Sequence, residues 1–207
     1  MITRLAIVAL IILFGFAADH VSAQTIGAVS RIQGDANGTL GSTTRALNLN
    51  TTVSRNEIIS TGDAARLELT FADNTRLTLG EKAKLTLDRY VFNPRAGNGT
   101  IRFAVIGAFR FLSGRLSKLA RSSVSVMTPV AAIGIRGTEF WAGPIDDQAL
   151  GVFLIAGAVS VSNAAGEQIL NQPGQGTNIA TAGVAPGPVT FWPSAKVNRA
   201  LAAVAFR

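Results

Sequence analysis

Along residues 65–71, Ala-Arg-Leu-Glu-Leu-Thr-Phe, the odd positions are apolar and the even ones polar. Asp73 and Asn74 interrupt as turn residues, and Leu77 and Leu79 resume on the same parity. Gly80-Glu81-Lys82 interrupts again before Leu85 and Leu87. Period-two alternation turns one side of a strand toward a core and the other toward water, so three short strands joined by turns are predicted. Apolar positions at the 3.6 spacing of a helix are missing here. The pattern reads as all-β.

Residues 128–141, TPVAAIGIRGTEFW, carry a second signal. Ile133 and Ile135 alternate with small or polar positions, Gly137 breaks the alternation, and Phe140 and Ala142 resume on the other parity. A one-residue change of parity turns side chains to the opposite face, so the chain must turn or bulge near Gly137. Arg136 and Glu139 flank that point, close enough in sequence to pair locally. An apolar-Gly-Ala-apolar echo opens at Ile26, Ile106 and Ala156. Each of its glycines, Gly27, Gly107 and Gly157, is expected to permit a close backbone approach or a bulge.

Loops are expected at 93–100, 143–147 and 164–167. In 109–121, Phe109 and Phe111 alternate as a strand, whereas Leu112, Leu116 and Leu119 fit one face of a helical turn. Gly114 weakens a helix by about 1 kcal/mol relative to Ala, which favours a strand followed by a basic loop. A Gly/Pro-rich linker at 181–188 leads to Val197, Leu201 and Val204 at helical spacing, with Ser194 as the expected N-cap. This short C-terminal helix is expected to cover strand edges. Many short strands with such glycines fit an irregular β-solenoid, a β-roll or a sandwich, and the pattern leaves these open.

The N-terminus reads as a cleavable leader. Arg4 precedes an apolar run from Leu5 to Ala18, and Val21-Ser22-Ala23 supplies a small-residue cleavage pattern. The run is shorter than the roughly 20 residues a spanning helix needs. Cleavage after Ala23 is expected, giving a periplasmic or secreted chain with no transmembrane segment. It would also remove the only histidine, His20, from a chain that has no cysteine. Histidine- and cysteine-based catalysis, thiolate or imidazole zinc sites and disulfides are thereby excluded. Stability must come from the core, which a single domain of this length can build.

With Arg4 and Asp19 removed, 18 basic residues face 11 acids. Between Asp88 and Glu139 there is no acid, while Arg89, Arg95, Arg102, Arg110, Arg115, Lys118, Arg121 and Arg136 all fall there. Apart from Arg136, which belongs to the turn motif, these are the candidate contacts for an anionic partner. In an exported protein that means an envelope protein or an anionic envelope polymer, not nucleic acid.

Taken in order, several segments resemble the FecR domain, an all-β module of bacterial envelope proteins. They are Gly62-Asp63, the alternating stretch 65–88, Gly107-Ala108-Phe109-Arg110, Thr128-Pro129, Arg136-Gly137-Thr138-Glu139-Phe140, Gly157–Val161 and Pro173-Gly174-Gln175. The resemblance runs over residues 57–176 within an expected domain of 24–180, preceded by the leader 1–23 and followed by the linker and helix of 181–207. The best-known members are transmembrane regulators of iron-uptake signalling, in which an envelope domain senses a loaded outer-membrane transporter and a cytoplasmic segment controls a sigma factor. The resemblance implies an envelope binding module engaged in signalling through protein contact. A chain with neither cytoplasmic segment nor spanning helix is not expected to carry a signal across the inner membrane by itself. Iron signalling specifically is an analogy at the level of the fold.

The family pattern supplies no catalytic residue and implies no cofactor. Thr128, Pro129, Arg136, Gly137, Thr138, Glu139 and Phe140 are expected to form a structural turn whose polar groups satisfy backbone. Two other classes compete. A structural envelope protein would use the basic stretch on anionic lipid or polysaccharide, with steep salt dependence. A glycosidase would need two carboxylates from Glu57, Asp63, Glu68, Asp73, Glu81, Asp88, Asp146 or Asp147, most of which read as solvated or turn residues. Asp146-Asp147 alone is too small a donor set for calcium, which takes six to eight oxygens.

Overall fold

The computed structural model describes residues 24–207, and the expected leader lies outside the described residues. In chain order the first eight strands are β1 (Thr25–Gln33), β2 (Ala36–Leu40), β3 (Thr43–Ala46), β4 (Thr52–Ser54), β5 (Ile58–Thr61), β6 (Arg66–Phe71), β7 (Arg76–Leu79) and β8 (Lys84–Asn93). Then come β9 (Asn98–Ile106), β10 (Phe109–Leu112), β11 (Arg121–Met127), β12 (Ala132–Ile145), β13 (Gln148–Asn163), β14 (Gly166–Leu170), β15 (Gln175–Ile179) and β16 (Thr190–Phe191). A single 3-10 turn at Arg115–Lys118 and one helix, α1 (Ser194–Ala202), complete the elements of the described residues. The strands join into one curled sheet, a half-barrel in section. The all-β expectation with a terminal helix holds.

The long β12–β13 hairpin organises this sheet. Residues 132–135 of β12 pair with β11, which continues through β9, β8, β5 and β2 to β3. Residues 139–142 of the same strand pair with β10, which continues through β7, β6 and β1 to β4. Between them the register against β13 shifts, at Arg136 to Glu139. One strand thus serves two halves of the sheet, changing neighbour at its bulge. Because the halves curl around a shared core, the change of parity keeps Ile133 below the bulge and Phe140 above it fully buried. The sequence signal at Gly137 is therefore a bulge inside one strand and not a turn between two.

The alternation seen in the sequence builds this core. Leu67, Leu69, Phe71, Leu77, Leu79, Leu85 and Leu87 are all buried in one cluster drawn from both halves. Phe71 stacks on Phe103 at 5.1 Å, and Phe140 packs against Phe109 and Phe111 at 5.7 Å each. Each such side chain contributes about 1.5–3 kcal/mol by leaving water. Gly27 lies where β1 shifts register against β4, and a Cβ there would fall 2.7 Å from the Thr70 carbonyl.

Several expected loops are shorter than predicted. Residues 93–100 contribute only the turn 94–97, because Gly97 at φ +64° reverses the chain and Asn98 already pairs with Asn93. Residues 143–147 contribute only Asp146 and Asp147, both at positive φ, as a two-residue hairpin turn requires. The 109–121 segment is a strand, then the 3-10 turn, with Leu116 buried.

The C-terminal segment departs from expectation in two ways. Pro193, not Ser194, is the N-cap, and it makes no side-chain cap bond. The helix does not cover strand edges. It lies on the outer sheet face, where Ala200 and Val204 close a second apolar cluster with Trp141, Phe153 and Trp192. Trp141 faces outward because it follows inward-facing Phe140. The segment 181–188 is tied down rather than loose: Asn163 Nδ2 donates to the Val184 carbonyl at 2.7 Å, and Thr177 Oγ1 donates to the Gly187 carbonyl at 2.6 Å. No described helix is long and apolar enough to cross a membrane.

Candidate functional site

The motif residues of 128–140 hold backbone together. Thr128 Oγ1 accepts from the Ala131 amide at 3.0 Å and lies 2.9 Å from the Ala131 carbonyl, closing the β11–β12 turn around Pro129. At the bulge, Thr138 is buried, and its Oγ1 reaches across to β13. It lies 2.6 Å from the Ala158 carbonyl and 2.9 Å from the Arg136 carbonyl, and accepts from the Ala158 amide at 3.2 Å. The Thr138 amide donates to Ser113 Oγ at 2.9 Å, which ties the bulge to the end of β10. Gly137 sits at φ +59° and Gly157, facing it, at φ +84°. A Cβ on Gly157 would collide with the Gly137 carbonyl.

Arg136 and Glu139 do not pair. The bulge turns Glu139 to the outer face of β10, where it takes the Arg110 guanidinium, Nε at 2.8 Å and Nη2 closer still. Arg136 is exposed and makes no ion pair among the described residues.

This pair marks the floor of a polar groove. Directly opposed residues on neighbouring strands share a face, and one row runs Arg31 (β1), Glu68 (β6), Thr78 (β7), Arg110 (β10) and Trp141 (β12). A second row adds Arg76, Leu112 and Glu139. All of these except Trp141, which is buried under the C-terminal segment, line a groove of about 250 Å³. It continues into about 290 Å³ walled by Leu201, Val204, Ala205 and Phe206 of the C-terminal segment. Glu68 accepts from Ser30 Oγ at 3.0 Å and Thr78 Oγ1 at 3.3 Å. Arg31 stacks over the Phe206 ring at 4.0 Å, and neither Arg31 nor Arg76 pairs with a described carboxylate. Sequence reasoning missed Arg31 and Arg76 because they lie outside the acid-free stretch.

The basic stretch itself is divided. Arg89 and Arg102 stand opposite each other on β8 and β9, with Asp88 3.9 Å from Arg102. Arg95 lies in the turn between those strands, and Arg121 starts β11 opposite Asn98. Arg115 belongs to the 3-10 turn, donates to the Ala72 carbonyl and covers Phe92. Lys118 ends the same turn, and Arg110 lies in the groove already described. No single patch collects all seven.

The acids are structural in several places. Asp73 lies in a turn, as expected, but it is fully buried. It accepts from Thr75 Oγ1 at 2.7 Å, Tyr90 Oη at 3.1 Å and the Leu116 amide at 3.2 Å, anchoring the 3-10 turn. Burial, together with the Asp73 charge, pushes the Tyr90 phenol well above its ordinary range. Glu57, also buried, takes Arg45 and the Ser54 amide, each at 2.8 Å. Asp146 is bridged by Arg199 at 2.7 Å and Lys196 at 3.2 Å, fastening α1 to the β12–β13 turn. Those contacts hold its carboxyl below the usual range, with the Arg199 hydrogen bond foremost. Among the described residues no group of three or more His, Cys, Asp or Glu side chains could hold a metal.

Residues 57–160 match the family model of the FecR protein. The chain belongs to the FecR family. Two crystal structures of a protein provisionally assigned as an anti-sigma factor from Parabacteroides distasonis ATCC 8503 share its fold. The one at 1.65 Å is 18% identical, covers 70% of this chain and 64% of that chain, and gives a TM-score of 0.54. The one at 2.50 Å is 17% identical, covers 70% and 63%, and gives 0.56. The FecR-family chain thus spans under two thirds of those structures. No curated protein matches it.

Proposed function

We propose that this FecR-family protein is an exported binding module of the bacterial envelope that takes part in regulation through protein contact and without turnover. One observation carries the reading: six of the seven residues lining the groove fall inside the family segment 57–160. The segment that carries the family match thus also carries most of an outward-facing polar groove. The groove's two carboxylates argue against hydrolysis, since Glu139 is engaged by Arg110 and Glu68 by two hydroxyls. A glycosidase needs one carboxyl free to deliver a proton and a second free to attack or activate water. The anti-sigma assignment of the structural neighbours agrees with a regulatory role. Export would follow from the leader Met1–Ala23, and intact-mass measurement tests it: a mass retaining those residues refutes cleavage.

Crosslinking in intact cells, followed by identification of the captured species, tests the central claim. Capture of one defined envelope protein is expected. A second reading, an envelope protein working by adhesion to anionic polymer, is favoured by the opposed Arg89 and Arg102 on the other half of the sheet. Like charges directly opposite repel, and a bound anion relieves that repulsion. Capture of lipid or polysaccharide alone would transfer the assignment to this second class.

A further inference from the structure

The groove between the outer sheet face and the C-terminal segment has a composition that selects among anions. Its floor carries three guanidinium groups and two carboxylates, so it is only weakly positive. A dense polyanion such as a phosphate polymer would meet Glu68 and Glu139 as well as the arginines. Arg110 is already clasped to Glu139, whereas Arg31 and Arg76 pair with no described carboxylate. These two present unmatched bidentate donors, suited to isolated carboxylates. Between and beside them lie apolar surfaces, Leu112 on the floor and Leu201, Val204 and Phe206 along the wall. Spaced carboxylates interleaved with apolar side chains are what an extended acidic peptide offers.

The dimensions agree. From Arg31 to Arg110 the floor crosses three strand-to-strand steps, about 14 Å at the usual spacing near 4.8 Å. That length holds about four residues of an extended chain. We propose that this groove is a docking site for an acidic-apolar peptide segment of a protein partner, with Arg31 and Arg76 taking its carboxylates and Leu112 and Phe206 its apolar side chains. The proposal rests on the protein-contact reading above and names the chemistry of that contact.

The test uses the purified full chain and fluorescence anisotropy with a labelled hexapeptide alternating Glu and Leu. Saturable binding is expected, with little binding of the Lys-Leu counterpart. Arg76→Ala, which removes no described hydrogen bond or ion pair, should weaken binding several-fold, and Arg31→Ala with Arg76→Ala by at least tenfold. Arg89→Ala with Arg102→Ala, on the other half, should leave it unchanged. Inorganic phosphate and phosphatidylglycerol vesicles should compete poorly. No saturable binding, equal loss in the Arg89/Arg102 variant, or full competition by phosphate or vesicles would each overturn the proposal. The cell crosslinking separates the two levels: capture of a defined protein undisturbed by Arg31→Ala and Arg76→Ala would sink the groove assignment while the protein-contact reading stands.

Discussion

Thr138 offers the sharpest test of how the bulge is held. Thr138→Val keeps the shape but removes the hydroxyl that accepts from the Ala158 amide and lies 2.6 Å from its carbonyl. The site is 2% exposed, so water cannot replace what is lost. Losing a hydrogen bond costs about 1 kcal/mol, and leaving buried backbone groups without it adds about 1–3 kcal/mol. A destabilisation of about 2–4 kcal/mol follows, or roughly 5–15 °C in Tm for a chain of this size. Thr138→Ser keeps the hydroxyl and gives up one methyl, about 1 kcal/mol and a few degrees. The comparison is informative because β propensity predicts the opposite order, valine being the better strand former. Thermal denaturation followed by circular dichroism reads both variants. If valine is as stable as serine, the hydroxyl does not hold the bulge and the account of Thr138 fails.

Gly157→Ala places a side chain at φ +84° against the Gly137 carbonyl, and strain with overpacking should cost at least about 2 kcal/mol, seen as a lowered denaturant midpoint. Tyr90 is the chain's only tyrosine, so absorbance near 295 nm reports it alone. Its folded-state pKa is raised above the ordinary value of 10.0 by burial and the Asp73 charge, so the folded protein should resist ionisation there. The associated stability is intact below about pH 10 and is lost as pH rises toward the folded value, so alkaline ionisation should coincide with unfolding. A tyrosine titrating normally in the folded protein would contradict the buried Asp73–Tyr90 contact. Both tryptophans lie beneath α1, so Val204→Asp should red-shift intrinsic fluorescence while the far-ultraviolet β signal persists. Asp146 titrates below its ordinary 3.8, so its hold on α1 should be present above that pH and fade as pH falls through the lower folded value, with salt weakening it throughout.

How legible the molecule was depended on the distance over which each feature is decided. The alternation of Leu67, Leu69, Phe71, Leu77, Leu79, Leu85 and Leu87 fixed which side chains enter the core, because the face of a strand is set by its own period of two. The parity break at Gly137 announced a turn or a bulge, for the same local reason, and the pairing of β12 with β13 made it a bulge. Sequence overestimated the loops at 93–100 and 143–147 because Gly97, Asp146 and Asp147 adopt positive φ and reverse the chain in few residues. Partner choice was out of reach. Arg136 stood three residues from Glu139, yet Glu139 joined Arg110, 29 positions away, once the bulge had re-aimed it. Asp73 became a buried anchor only because residues 115–118 fold over it from 43 positions downstream.

The groove shows the same division. Sequence by itself determined an all-β chain of the FecR kind, its core face, a break in strand parity near Gly137 and an uneven distribution of charge. Tertiary structure alone decided that β12 would change neighbours at the bulge, that the basic stretch would be divided between the two halves of the sheet, and that Arg31 would meet Phe206 from the far end of the chain. Strand periodicity is a property of adjacent residues, whereas strand order is a choice among distant ones, made by which apolar faces close one core.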